Sequence, residues 1–153
     1  RIPQAHLDDL WPILIQRDAV SDNVPSRDMR VSPWHHLFID GVLVRARDLV
    51  NGSTIRVDKS LKRISYYHIE LDRFDVIRAH GIYSESYTDG GNRNFFHNAD
   101  ITSLTAQDQM RREGDRPGFH VVRDAATIRA MHKRLADRAA LIGEDGAPLQ
   151  RLA

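Results

Sequence analysis

The sequence predicts a mainly β fold of short strands and hairpins, with one amphipathic helix near its C-terminal end. Three observations predict it. Between Met29 and Tyr87, short β-branched and aromatic runs are separated by turn residues. The dipeptides Asp40-Gly41 and Asn51-Gly52 suit the positive-φ positions of tight hairpin turns. After Asp124, apolar residues recur at helical spacing. A chain of 153 residues with 41% hydrophobic content is long enough to bury one sizeable core, so two independent units are not expected.

The elements follow in order. Residues 1–28 carry Pro3, Pro12 and Pro25; their one apolar run, Trp11 to Ile15, is expected as an edge strand followed by a polar loop from Gln16 to Asp28. Leu37 to Ile39, Asp40-Gly41 and Val42 to Val44 read as a hairpin, and Asn51-Gly52 before Thr54 to Val57 reads as a second. From Ile64 to Leu71, Ile64, Tyr66 and His68 alternate with Ser65, Tyr67 and Ile69, which is the period of a strand. Val76-Ile77 and Ile82-Tyr83 flank Gly81 as two further strands. Thr88 to Asn98 is a loop by its Gly and Asn content, with Phe95 and Phe96 pinning it to the core. A short helix is expected from Thr105 to Arg112, and a strand-like stretch from His120 to Val122.

The helix from Asp124 to Ile142 has Asp124 as N-cap and Gly143 as its stop. Ile128, Met131, Leu135, Arg138 or Ala139, and Ile142 fall on one face, with Arg129, Lys133, Arg134 and Asp137 largely elsewhere, so this helix is expected to dock on its own β domain. The division that follows is a β domain over 1–98 and a C-terminal extension over 99–153, with helix 124–142 packed on that domain.

Composition narrows the function. Twenty-two basic against 21 acidic residues leave a formal charge of +1, so bulk attraction to nucleic acid or anionic lipid is not implied. No apolar run reaches the ~20 residues of a membrane span. There is no cysteine, which removes disulfides, thiolate metal sites and thiol nucleophiles together and leaves the compartment unreadable. Because the chain opens on Arg1 and not on Met, a trimmed, processed or excerpted chain is expected.

The eight histidines, and the pair His35-His36 above all, raise a metal reading. Neighbours on a strand point to opposite faces, and no HxH or HxxxH pair is present, so one inward and one solvated histidine are expected, with no metal and no cofactor. No GxSxG elbow or P-loop occurs. Carboxylate pairs at Glu70/Asp72/Asp75 and Asp8/Asp9 lack an accompanying aromatic groove and read as solvated faces and turns. Trp11 and Trp34 are taken as core or rim aromatics.

Three blocks, in order, carry a resemblance. Val31-Ser32-Pro33-Trp34-His35-His36-Leu37-Phe38-Ile39-Asp40-Gly41 resembles the Hint (hedgehog/intein) block in which a Thr/Ser-Pro-x-His motif opens a strand. Leu43 to Gly52, LVRARDLVNG, resembles the following segment, a short helical turn ending in a Gly turn. Tyr66 to Gly81, YYHIELDRFDVIRAHG, resembles the terminal Hint block, and Glu85 to Arg93 closes it in the manner of an alphaproteobacterial branch. The resemblance covers about residues 11–97, and the C-terminal helix is similar to the tail that branch often carries.

The resemblance implies an all-β Hint-like fold and a bacterial self-processing domain, soluble and acting on its own polypeptide. In such domains a Cys or Ser attacks the preceding carbonyl in an N-to-S or N-to-O acyl shift, and the resulting thioester or ester is cleaved. This requires a positioned nucleophile and a donor that protonates the departing amide nitrogen. By resemblance His35 is that donor and Ser32 polarises the same peptide; His68, not carried over from the family, is a third candidate catalytic residue, expected chiefly to pack or hydrogen-bond at the edge of the site.

Two departures limit the activity expected of this chain alone. The block supplying the nucleophile has no counterpart in residues 1–28, and Phe74 stands where relatives tend to carry a His. His97-Asn98 is followed by Ala99, so protein splicing is not expected. The partner implied is the chain's own upstream polypeptide, holding the missing block and the host protein; nucleic acid is not implied, and the oligomeric state is unreadable. If that block folds with this chain, its absence should leave unpaired strand edges or exposed apolar surface. Two alternatives stand beside this reading: a non-catalytic Hint-fold module of a larger bacterial protein, and an unrelated β-rich binding module.

Overall fold

The computed structural model describes residues 10–87 and 116–142. Seven strands lie among them: β1 (Ile13–Ile15), β2 (Met29–Val31), β3 (His36–Ile39), β4 (Val42–Arg45), β5 (Ile55–Val57), β6 (Val76–Ala79) and β7 (Ile82–Glu85). A 3-10 turn spans Ala46–Leu49 and one helix, α1, spans Ala125–Ala139. The strands form two antiparallel sheets, β2-β1-β5 and β4-β3-β7-β6, so the class is mainly β with a C-terminal helix.

Two hairpins build most of the larger sheet. Asp40-Gly41 and His80-Gly81 link β3 to β4 and β6 to β7, with φ of 53°, 80°, 53° and 87°. Positive φ at both central positions is the type I′ geometry, whose twist matches that of the flanking strands. Gly81 is also placed by packing, since a Cβ there would lie 3.3 Å from the Asn23 carbonyl oxygen.

The chain crosses between the sheets three times, after β2, after β4 and after β5, and the first two crossings carry recognisable turns. After β2 it turns through Ser32-Pro33-Trp34-His35, closed by the His35 N–H donating to the Ser32 carbonyl at 3.1 Å. Pro33 occupies the second position of that turn, where its fixed φ is favourable. After β4 the 3-10 turn leads to Asn51-Gly52, where the Asn51 Oδ1 accepts from the N–H groups of Ser53 (2.9 Å) and Ile55 (3.0 Å). This bend delivers β5 to the smaller sheet, beside β1.

Four expectations are corrected here. The first strand is the centre of its sheet and not an edge, because β5 comes back to pair on its second side; Ile13 and Ile15 are accordingly almost fully buried. Asn51-Gly52 does not close a hairpin, because β4 is already paired with β3 and the next strand joins the other sheet. Residues 64–71 are not a ladder strand; Tyr67 is 88% exposed and Ile69 59%, and a backbone bond from the Tyr87 N–H to the Ile69 carbonyl at 2.7 Å ties the segment down. His120 to Val122 makes an isolated bridge, with the Leu43 N–H donating to His120 and the Val122 N–H donating to Leu43, both at 2.8 Å.

One core joins both sheets and the helix. Ile13, Ile15, Leu37, Ile39, Val44, Leu49, Ile55 and Ile82 cluster with Met131 and Leu135 of α1. The Asp124 carboxylate caps α1 by accepting from the Thr127 N–H at 2.8 Å. His132 Nε2 lies 2.9 Å from the Val50 carbonyl, Arg134 pairs with Asp40, and Arg138 donates to the Asp18 carbonyl and to Asp22. No helix among the described residues is long and apolar enough to cross a membrane. Asp8/Asp9, the 88–98 loop, the 105–112 helix, the Gly143 stop and the expected boundary at 98/99 lie outside the described residues.

Among those residues β2, β4, β5 and β6 each have a single strand neighbour, β4 being met on its other side by the isolated bridge to Val121. The exposed large apolar side chains among the described residues are Val57, Tyr66, Tyr67, Ile69, Leu71, Tyr83 and Leu141.

Candidate functional site

The crossing from β2 to β3 and the segment 65–69 both line a groove of about 290 Å³. The tight turn places Ser32 and His35 together on this groove, and His68 reaches it from segment 65–69. The His35 and His68 rings lie 6.2 Å apart between centroids, and the His68 ring meets Tyr87 edge to face at 5.7 Å. All three candidate residues, Ser32, His35 and His68, therefore converge on a single space.

Glu85, which lines the groove, belongs to an ion cluster that sequence reasoning missed. Glu85, at the end of β7, accepts from the His36 backbone N–H at 2.9 Å and lies 3.0 Å from His36 Nδ1 through the same Oε1. Its other oxygen accepts from Arg116 Nε at 2.7 Å. Arg116 also approaches His36 Nδ1, at 3.3 Å, and that nitrogen can serve only one of the two neighbours as partner. The closer carboxylate oxygen selects Nδ1–H donating to Glu85. His36 is 2% exposed and Arg116 7%, so the cluster is shielded from water.

Burial pushes the Glu85 carboxyl up, but the His36 hydrogen bond and the charges of His36, Arg116 and His35 hold it down at about 2. His35 is lowered below its usual value, first by burial, with Glu85 opposing and His36 and Arg116 adding to the effect. A neutral His35 imidazole at neutral pH follows. The expectation of one inward and one solvated histidine is corrected in part: His36 is inward, but His35 is partly buried against the groove, because the turn and not a strand sets its direction.

Two further contacts fix the surroundings. The His35 carbonyl accepts from the Ala46 N–H at 2.9 Å and the Pro33 carbonyl from the Arg47 N–H at 3.0 Å, tying the turn to the 3-10 segment. The Arg47 guanidinium lies 4.2 Å from the Trp34 ring centroid, so Trp34 is a rim aromatic. Phe74 lines no part of the groove; it packs on Phe119. Glu85 was within reach of the sequence, inside the closing block, whereas nothing at Arg116 distinguishes it from the other arginines.

Comparison with known proteins adds one match. A protein-family model described as Hint domain matches residues 3–91. No curated protein and no solved structure matches the chain.

Proposed function

The chain belongs to the Hint domain family, and from that premise we propose that it supplies the proton-handling and positioning part of a self-processing site. The observation that carries this reading is the convergence of Ser32, His35 and His68 on one groove. In the proposed reaction a Ser or Cys from another segment of the same polypeptide attacks the carbonyl of the peptide bond before it. Neutral His35 takes the proton from the attacking group and returns it to the amide nitrogen as the C–N bond breaks, leaving an ester or thioester and a free amine. Water or a second nucleophile then cleaves the ester. Ser32 polarises the scissile peptide by hydrogen bonding, and His68 closes the edge of the site.

The nucleophile is assigned to another segment because these 153 residues hold no cysteine and no serine identified by the family's nucleophile block. The exposed apolar side chains Tyr67 and Ile69, both lining the groove, support a partner segment there. A second reading, a non-catalytic module of a larger bacterial protein, is favoured by Phe74, which is held by aromatic packing where relatives tend to carry a His.

The test is intact mass of the full-length gene product, expressed with its native upstream sequence, beside a His35→Ala variant. Cleavage in wild type that disappears in the variant is the expected result. An uncleaved species in both selects the non-catalytic module.

A further inference from the structure

We propose that Glu85, clamped by Arg116, is a positioning residue of the groove: its carboxylate fixes the His36 tautomer and supplies the negative charge that governs proton uptake at His35. The inference rests on the reading of His35 as the proton-handling group.

The geometry is specific. β3 pairs with β7 at Leu37↔Ser84 and Phe38↔Tyr83, so the next rung would set His36 opposite Glu85. There the His36 N–H is taken by the Glu85 side chain, at 2.9 Å. The same oxygen faces His36 Nδ1 at 3.0 Å, and Arg116 holds the second oxygen at 2.7 Å. A carboxylate gripped from three directions cannot rotate away from the groove it lines. His35 directly precedes it in the chain, so whatever fixes His36 also fixes the end of the turn that carries His35.

The charges acting on His35 are Glu85 of β7, which is negative, and Arg116 and protonated His36, which are positive. Of the other groove-lining groups, Arg30 of β2 is neutralised by Asp58 at 2.7 Å, and His68 and Tyr66 face the same space. Glu85 is thus the single carboxylate among the described groove-lining residues. Removing its charge leaves the half-buried His35 facing Arg116 and His36 with no opposing charge, where protonation is disfavoured.

The experiment is an NMR titration of the histidine rings in the full chain, for wild type, Glu85→Gln, Glu85→Asp and Arg116→Gln. The His35 midpoint is expected to fall by about one unit in Glu85→Gln, to stay near wild type in Glu85→Asp, and to rise in Arg116→Gln. Wild type alone gives an independent reading, since His36 must carry its proton on Nδ1. A His35 curve in Glu85→Gln that superimposes on wild type, an equal fall in Glu85→Asp, or a bare Nδ1 on His36 overturns the proposal. Failure of the processing reading is separate: a shifted midpoint in a protein that never cleaves sinks that reading and leaves this one standing.

Discussion

Phe74 and Phe119 meet edge to face, with ring centroids 5.4 Å apart and planes at 81°. Phe119 makes the same kind of contact with Phe38 of β3, at 5.4 Å and 85°. The three rings form a chain that fastens the 116–122 segment to the larger sheet, close to where Arg116 enters the ion cluster. Replacing Phe74 with Ala is expected to cost about 2 kcal/mol, below the range for a fully buried ring because Phe74 is partly exposed. Urea denaturation measures it, and Phe74→His should recover only part of the loss.

Acid should expose the ion cluster. Glu85 has a folded value of about 2 against an ordinary 4.5, so its stabilisation is complete above 4.5 and lost as pH falls through about 2. Breaking a buried pair by removing one partner costs about 3 kcal/mol or more. Glu85→Gln is therefore expected to be least stable relative to wild type near neutral pH, with the gap closing toward pH 2. Equilibrium unfolding across that range reads it.

His35 acts in the opposite sense. Its folded value lies below the ordinary 6.5, so the unfolded chain binds the proton more readily. Stability is undiminished above 6.5 and erodes as pH falls from there to the folded value. His35→Ala should remove this component, so the ratio of variant to wild-type folding constants should rise as pH drops from 7 to 5.

The two hairpin glycines should respond unequally to alanine. Both Gly41 and Gly81 have positive φ, which costs an L residue about 1–2 kcal/mol. A Cβ at Gly41 meets open space, whereas one at Gly81 presses on the Asn23 carbonyl oxygen at 3.3 Å. Thermal melts should rank Gly81→Ala below Gly41→Ala.

On α1, Leu135 is fully buried in the common core, and Leu135→Ala is expected to cost about 3 kcal/mol. Arg134→Ala breaks the exposed pair with Asp40 and should cost less than about 1 kcal/mol. Denaturation midpoints for the two variants test whether burial or charge holds the helix down.

Local signals made much of this molecule readable. Asp40-Gly41 announced its hairpin through dihedral preference and Asp124 its helix through capping, whereas Ser32 to His35, read as the opening of a strand, is a tight turn before it. Signals failed where the partner was distant. Ile13–Ile15 is central only because β5 returns to it, and Asn51-Gly52 redirects the chain because β3 has already claimed the strand before it. The alternation at 64–71 is an extended backbone with no ladder beside it, and period alone does not distinguish the two. Arg116 reaches Glu85 across 31 residues, a separation that no spacing rule spans.

The last contact between β3 and β7 is made by a carboxylate and not by a carbonyl oxygen. Any strand can supply a carbonyl, so an ordinary ladder tolerates slippage by two residues at little chemical cost beyond repacking. Here a two-residue slip would carry Glu85 away from His36 and strand Arg116 without its counter-charge in a dry interior. The ion cluster thus acts as an alignment mark for the sheet, accepting one register of the two strands and penalising its neighbours.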